Sequence, residues 1–238
     1  MDAERSFPGL VVIVPVRNEA GNVPGLLQMS AALACRVLFV DHASTDSTGE
    51  LLRSGGAEVV RCAEAGGFGR AVKYGISAVA GPAAPGYLAW LPGNLKTDPA
   101  DALRLATELH TSRPYGSAYV KARRTGRPLK ERVPSAIAGA LLSIRGRGPY
   151  FEVGGTPTIV PSSLLEQVLE GPDGIEFETF TVFAMRQAGL ELLRPPAPFG
   201  RRVHGASHWN KGLRSQLALL YRLLRYVTEL RKNPRIPV

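Results

Sequence analysis

Asp41 is the central candidate in this chain for binding a nucleotide, because of its type and its position after an apolar run. Four apolar residues, Val37–Val40, precede it, and a Ser/Thr/Asp-rich stretch follows over residues 42–48. This pattern predicts a strand buried on both faces, followed by a helix that Asp46 or Ser47 could cap. Asp41 would then lie at the carboxyl end of a parallel strand, where open α/β sheets bind ligands. Its carboxylate could accept hydrogen bonds from a nucleobase or a ribose, or it could simply cap a loop.

A second group of polar residues follows the first predicted strand, Leu10–Val14. Pro15 could form a wall for a flat base, while Arg17 and Glu19 offer charge at the strand end. A proline turn with solvated charges is the alternative. No Gly-x-Gly-x-x-Gly fingerprint follows this strand, which argues against a nicotinamide or flavin enzyme.

Two further strand ends carry residues suited to phosphate. After the predicted strand Glu58–Cys62, a Gly-rich loop opens a helix that carries Arg70 and Lys73 in its first turns, a common pattern that also suits an anion. After the predicted strand Tyr87–Leu91, a polar turn runs to Asp98, which is expected to cap the next helix.

The composition limits the classes of function. The 238 residues fit one large α/β domain or two fused halves, and the net charge of +9 suggests an anionic partner. No nucleic-acid recognition motif accompanies that charge, so nucleic acid is not expected as a partner. The start of the chain lacks an apolar signal region and no run is long enough to span a membrane. We therefore expect a cytoplasmic protein, with a peripheral position at the inner membrane face left open.

The two cysteines are expected to be free thiols. If Cys35 and Cys62 flank neighbouring parallel strands, they stand about 15 Å apart at the usual rise per residue, which is too far for a disulfide. Reduced thiols agree with an intracellular compartment.

The strand-end motifs together resemble glycosyltransferase family two, and within it the dolichyl- or polyprenyl-phosphate sugar transferases. Pro15–Glu19 matches the family's Pro-x-x-Asn-Glu, Val40–Thr48 its Val-Asp-Asp-Gly-Ser-Thr-Asp-Gly-Thr, and Gly67–Gly75 its Gly-rich loop and helix. Phe199–His208 is similar to its Arg-x-x-Gly-x-Ser-Lys segment. The resemblance covers about residues 9 to 210. It implies an α/β GT-A fold, with a Rossmann-like, mostly parallel central sheet and helices on both faces.

By this resemblance, Pro15, Glu19 and Asp41 would hold the nucleobase and ribose, and Arg202 would reach the diphosphate. Three substitutions depart from the family pattern. His42 replaces the second Asp, Ala43 replaces the Gly, and His208 replaces the Lys of the last motif.

The largest departure lies where the family has Asp-x-Asp followed two residues later by Gln or a similar ligand, and these side chains bind a divalent metal. Pro92, Asn94 and Lys96 stand here instead, and hard cations prefer carboxylates. No cofactor is therefore expected, although magnesium or manganese stays open. We hypothesise that Lys96 replaces the metal, with added positive charge from four other residues. These are Arg70, Arg202, His204 and Lys211.

The second half of the chain is expected to bind the acceptor. The resemblance loosely assigns acceptor contacts to Arg123 and Arg132, in a segment over residues 121–132 whose other interpretation is a solvated basic loop. Glu178 matches a family carboxylate and could be a general base for a hydroxyl acceptor. A charge in the first turn of a helix is an equal alternative for Glu178.

The chain ends in a predicted amphipathic helix, Leu213–Lys232, with an apolar face that includes Leu217, Leu224 and Val227. This face could pack on the domain, form a homodimer, or contact a membrane.

The whole chain, residues 1–238, is expected to be one GT-A domain. About residues 8–98 would bind the nucleotide sugar and about 99–212 the acceptor. The expected reaction is inverting sugar transfer from a uridine or guanosine diphosphate sugar to a polyprenyl phosphate, a glycan or a small metabolite. A non-catalytic nucleotide-sugar-binding protein is the alternative.

Overall fold

The computed structural model describes residues 9–81, 85–200, 204 and 212–232. The strands are β1 (Leu10–Val16), β2 (Arg36–His42), β3 (Glu58–Cys62), β4 (Tyr87–Trp90), β5 (Ala118–Lys121), β6 (Arg123–Thr125), β7 (Thr158–Pro161), β8 (Glu191–Leu193) and β9 (Pro196–Pro198). The α-helices are α1 (Val23–Ala31), α2 (Thr48–Ser54), α3 (Phe68–Val79), α4 (Pro99–Ser112), α5 (Leu129–Gly146), α6 (Leu165–Leu169), α7 (Phe177–Gln187) and α8 (Leu213–Lys232).

Seven strands form the central sheet, in the order β3-β2-β1-β4-β7-β5-β8, and β6 pairs with β9 in a small second sheet. The β1–β2, β2–β3, β1–β4 and β5–β8 pairs are parallel, while β7 runs antiparallel to both of its neighbours. The sheet is thus mostly parallel, as predicted. The carboxyl ends of β1, β2, β3 and β4 meet at one edge, where such sheets bind ligands.

Helices cover both faces of the sheet because the inner strands are apolar on both sides. Val11 and Ile13 of β1 pack with α3 and α7, whereas Val12 and Val14 pack with α1 and α4 on the opposite face. The predicted α/β class with helices on both faces is confirmed.

The predicted helix starts are confirmed at two places. The Asp46 carboxylate accepts a hydrogen bond from the Thr48 amide at 3.0 Å, and Asp98 accepts one from the Ala100 amide at 2.8 Å. Both carboxylates satisfy amides at a helix start. Cys35 and Cys62 are free, as expected.

The segment over residues 121–132, for which a solvated basic loop was one of two interpretations, has regular structure instead. Lys121 closes β5 with a fully buried side chain (0% exposed), β6 follows, and α5 already begins at Leu129. The loop prediction was wrong because the segment's partners are distant in sequence: the Arg123 amide donates to the Pro195 carbonyl at 2.8 Å.

The C-terminal helix α8 packs on the domain, as one of the three predicted alternatives had it. Its buried residues are Leu223, Val227 and Leu230, whereas Leu217 and Tyr221 are exposed. Among the described residues, no helix is both long and apolar enough to cross a membrane.

Candidate active site

Hydrogen bonds join the loops that follow β1 and β2. The Asn18 amide donates to Ser44 Oγ at 3.1 Å, and the Thr45 amide donates back to Asn18 Oδ1 at 2.8 Å. The Glu19 amide donates to Thr48 Oγ1 at 2.9 Å. The polar cluster after β2 therefore holds the β1 loop in place, a structural role that sequence reasoning missed.

Asp41 lies beneath these loops and is completely buried (0% exposed). Its Oδ1 accepts a hydrogen bond from the Ser44 amide at 3.1 Å, and its Oδ2 accepts one from Arg61 Nη1 at 3.1 Å. Gly49 lies so close that a Cβ there would overlap Oδ2. Asp41 thus caps a loop and also forms an ion pair with the half-exposed Arg61. A base would reach the carboxylate only by taking the place of Arg61.

Arg61 was missed from the sequence, although the strand register offered a signal. It is the residue of β3 that stands beside Asp41 of β2 in the parallel ladder. In adjacent strands, paired residues project from the same face of the sheet, so a cation there would meet the carboxylate.

The remaining predicted residues of the β1 loop differ in accessibility. Arg17 is exposed, whereas Pro15 is buried inside β1. The Glu19 carboxylate accepts a hydrogen bond from the Asn22 side chain. Arg17 therefore presents its charge to solvent at this edge, whereas the side chain of Pro15 is buried within the strand.

His42 contributes a buried imidazole at the end of β2. Its Nε2 accepts a hydrogen bond from the Gly66 amide at 3.0 Å, which requires the neutral ring. Burial lowers the pKa of His42, and the positive charges of Arg17 and Arg70 lower it further. His42 therefore fixes the Gly-rich loop as an uncharged acceptor.

The lowered pKa of His42 predicts a loss of stability in acid. Below the ordinary histidine pKa of about 6.5, the unfolded chain binds a proton that the folded chain resists. The contribution is complete above that pH and is lost as the pH falls toward the folded-state pKa. Urea unfolding of the wild type and of His42→Gln at neutral and mildly acidic pH should show a smaller loss in the variant. His204→Gln, at an exposed position, should keep the wild-type loss, and equal losses in all three proteins would contradict the prediction.

The Gly-rich loop before α3 has a different role from the one expected. The Gly69 amide donates to the Gly174 carbonyl at 3.3 Å, and the Arg70 amide donates to the Asp173 carbonyl at 3.0 Å. A Cβ on Gly67 or Gly69 would overlap the backbone of residues 172–174, before α7. These two amides are thus already paired with protein carbonyls, and the glycines allow two backbones to approach each other.

The cations on α3 also have protein partners. Arg70 forms an ion pair with Glu64 and lies 3.9 Å from Asp173, while Lys73 Nζ lies 2.7 Å from the Asp173 carboxylate. The two contacts with Asp173 tie α3 to the loop before α7. To bind a phosphate as expected, Arg70 would have to leave the carboxylates of Glu64 and Asp173, which already neutralise its charge.

The turn after β4 brings Asn94 and Lys96 to the same edge. The Gly93 amide donates to the Pro15 carbonyl at 3.0 Å, which fixes the turn against β1. Asn94 Oδ1 accepts a hydrogen bond from the Lys96 amide at 3.2 Å, and Leu95 between them has a left-handed backbone with φ of 56°. The Asn94 side chain therefore shapes the turn that presents Lys96.

Lys96 and Arg124 share one aromatic partner. Lys96 Nζ lies 5.0 Å and Arg124 Cζ 5.3 Å from the centroid of the Phe199 ring, at cation–π distances. Burial lowers the pKa of Arg124 to about 10, and the nearby Arg127 adds to that shift. Two cations from opposite halves of the chain thus meet beside the β4 turn, and sequence reasoning missed both Arg124 and Phe199.

This turn does not fit a divalent metal of the Asp-x-Asp type. Pro92 has no ligand atom in its side chain, the Asn94 oxygen is hydrogen-bonded, and Lys96 brings a competing charge. The described residues contain no group of three or more His, Cys, Asp or Glu side chains that could hold a metal. The position thus offers one neutral oxygen, already hydrogen-bonded, and one cation, whereas hard cations need several oxygen ligands.

Of the C-terminal candidates, only His204 lies within the described residues. A Cβ on Gly21 would stand 3.2 Å from the His204 ring, so His204 lies against the end of the loop between β1 and α1. The Gly200 amide donates to the Lys96 carbonyl at 2.7 Å. Gly200 and His204, which follow β9, therefore contact the loops at the carboxyl edge of the sheet, while Arg202 and Lys211 lie outside the described residues.

Arg123 and Arg132, the loosely matched acceptor residues, are both exposed. Arg123 lies on β6 and Arg132 on the first turns of α5. They are therefore accessible to an acceptor, but no described contact joins them to Lys96 or Asp41.

Glu178 lies in the first turn of α7, as one alternative had it, but its side chain is buried (6% exposed). It forms an ion pair with the fully buried Lys121 and accepts a hydrogen bond from Trp90 Nε1 at 3.0 Å. Thr158 Oγ1 also accepts a hydrogen bond from Lys121 Nζ at 3.1 Å. This network ties β4, β5 and β7 to α7, and it places Glu178 inside the domain.

Comparison with known proteins gives the family. The chain matches the family model of Glycosyl transferase family 2 over residues 11–183, which is more than half of its length. A search of curated proteins by sequence gave no significant match.

Several solved structures share the fold. Glucosyl-3-phosphoglycerate synthase from Mycobacterium tuberculosis, in complex with Mn2+, UDP-glucose and phosphoglyceric acid, superposes with a TM-score of 0.70 at 17% identity, covering 94% of this chain and 79% of that chain. The same enzyme with Mn2+, UDP and glucosyl-3-phosphoglycerate gives 0.69 at 18% identity, over 92% and 78%. A mycobacterial protein gives 0.68 at 22% identity, over 94% and 74%. The family match and the GT-A fold show that the chain belongs to glycosyl transferase family 2 and is a nucleotide-sugar-dependent glycosyltransferase.

Proposed function

We propose that the chain transfers a sugar from a uridine diphosphate sugar to a phosphate-bearing acceptor, with inversion at the anomeric carbon and without the Asp-x-Asp metal. The observation that carries this proposal is the turn after β4, where Lys96 stands in place of a metal ligand beside Phe199 and Arg124. The first half, about residues 8–98, would bind the donor, and about residues 99–212 would bind the acceptor.

The choice of donor is supported by the neighbours and by the edge of the sheet. The similar synthase binds UDP and UDP-glucose. Here the Asp41 carboxylate would accept the N–H of a uracil ring once Arg61 released it, and the Arg61 guanidinium would then donate to a uracil carbonyl. A guanosine nucleotide has both groups too, so it is the comparison nucleotide for the test.

The leaving diphosphate is the group that most needs stabilisation as the bond to the sugar breaks. A fixed ammonium or guanidinium near the developing charge lowers the barrier without a change of protonation. Lys96 would supply that charge from the β4 turn, and His204, which lies against Gly21, would stand near the same edge.

The choice of acceptor is supported by the charge around Phe199. The similar synthase has been solved with phosphoglyceric acid and with glycerol 3-phosphate, both of which carry a phosphate. Lys96 and Arg124 provide paired cations at the junction of the two halves. A polyprenyl phosphate and a phosphorylated metabolite share the phosphate group. Neutral glycans are the contrasting class.

Calorimetric titration with UDP and GDP, each in excess chelator and then with Mg2+ or Mn2+, tests the donor site. We expect UDP to bind more tightly, with a change of less than about threefold between chelator and metal, which corresponds to about 0.7 kcal/mol. Binding that appears only with metal would contradict metal independence. Absence of binding in both conditions would contradict the donor site. Binding without sugar transfer to any phosphate-bearing acceptor would favour the non-catalytic alternative.

A further inference from the structure

Five large aliphatic side chains lie exposed along one side of α5. Their exposed fractions are 70% for Leu129, 52% for Val133, 55% for Ile137, 41% for Leu141 and 77% for Ile144. We call these five residues the α5 face. Spacings of three and four residues put them on one side of the helix, and 18 residues give it a length of about 27 Å.

The α5 face points away from the domain. The opposite side of the helix carries the buried residues Gly139, Leu142 and Gly146. A Cβ on Gly146 would stand 2.8 Å from Val227 of α8, so α8 contacts the helix on the buried side. Contiguous apolar surface of this kind indicates a binding partner.

The charged residues around the α5 face are cations. Those that are exposed on α5 and its C-terminal cap are Lys130, Arg132, Arg145 and Arg147. The one acid of the helix, Glu131, is less exposed and lies 3.6 Å from Arg127 in an ion pair. The surface therefore combines aliphatic side chains with cations that form no ion pair within the part of the chain that the structure describes.

We propose that the α5 face docks the enzyme on an anionic lipid surface. A helix lying in the membrane interface needs an aliphatic side that enters the acyl boundary and cations that meet acidic headgroups, and α5 has both. A second copy of the chain fits less well because the same cations would face each other across a two-fold axis. A nucleic acid would use the cations but leave the aliphatic side chains exposed to water.

The place of α5 in the fold gives this docking a consequence for the enzyme. α5 follows β6 directly, and Arg127 between them lies 3.6 Å from Glu152, whose carboxylate also accepts the Arg124 amide at 3.1 Å. Arg124 in turn lies against Phe199 beside Lys96. Docking through α5 would hold the catalytic edge at a fixed orientation to the lipid surface, whether the acceptor is a lipid phosphate or a soluble phosphate.

Vesicle flotation tests the docking with the full-length protein. The probes are vesicles of phosphatidylcholine alone and of phosphatidylcholine mixed with phosphatidylglycerol. We expect binding to the mixed vesicles, weakened by high salt, and a loss of about tenfold in partitioning for Ile137→Asp. Leu51→Asp on α2, at a position that is 41% exposed, is the matched control and should bind like the wild type.

Three outcomes would overturn the proposal. These are absence of wild-type binding to the mixed vesicles, equal loss in Ile137→Asp and Leu51→Asp, and a dimer in sedimentation velocity that Ile137→Asp dissolves. UDP titration of Ile137→Asp separates this test from the proposed function. A variant that keeps its affinity for UDP but no longer binds the mixed vesicles is folded, and the defect then concerns docking alone.

Discussion

Replacing Lys96 by alanine should lower kcat/KM for sugar transfer by about 10²- to 10³-fold, the usual effect of removing one charge-stabilising donor. The physical reason is that Lys96 stands at the position of a metal ligand in the family motif, on a turn held to β1 by the bond from the Gly93 amide to the Pro15 carbonyl. Its loss should affect kcat more than UDP affinity, because the charge on the diphosphate develops as the bond to the sugar breaks.

Two variants make this test specific. Lys96→Arg keeps the charge and should retain most of the activity, whereas Lys232→Ala removes an exposed lysine at the end of α8 and should change nothing. Steady-state kinetics with each protein in chelator, then with Mn2+, give the comparison. Activity of Lys96→Ala equal to wild type would contradict the role of Lys96. Full rescue of that variant by Mn2+ would mean that the site can still recruit a metal.

The sheet and its catalytic edge follow from local patterns in the sequence. The core of β1, Leu10–Val14, is a purely apolar run, and so are the residues that precede Asp41, because a central parallel strand is buried on both faces. Asp98 and Pro99 fix the start of α4 through a capping preference that needs no distant partner. Such features depend on neighbouring residues, so a single sequence contains them.

The parts that were missed depend on contacts between distant segments. The sequence of the Gly-rich loop is typical of a phosphate loop. In the structure, however, its amides donate hydrogen bonds to the Asp173 and Gly174 carbonyls, about a hundred residues away in sequence. In the sequence, Lys121 belongs to a basic segment that could be a solvated loop. In the structure it is buried, because β5 pairs with β7. Asp41 was placed correctly at its strand end, but its partner Arg61 required the register of β3.

The buried ion pair between Lys121 and Glu178 gives the largest expected effect on stability. Glu178→Gln should lower the free energy of unfolding by about 3–5 kcal/mol, because it leaves a lysine charge buried without its counter-ion. Burial is the main cause that lowers the pKa of Lys121, and the negative charge of Glu178 opposes that shift. The glutamine oxygen would still accept the hydrogen bond from Trp90, so the loss reports the missing charge. Urea unfolding at neutral pH measures it.

The double variant Lys121→Met/Glu178→Gln decides whether the pair is structural. Removing both charges leaves no unpaired ion, so the double variant should be more stable than Glu178→Gln alone. Glu229→Gln, in an exposed ion pair with Arg225 on α8, is the control and should unfold like the wild type. If Glu178 is instead a general base open to the acceptor, Glu178→Gln should lose transfer activity while keeping its stability. That result would also require the acceptor to reach a carboxylate that Lys121 and Trp90 now occupy.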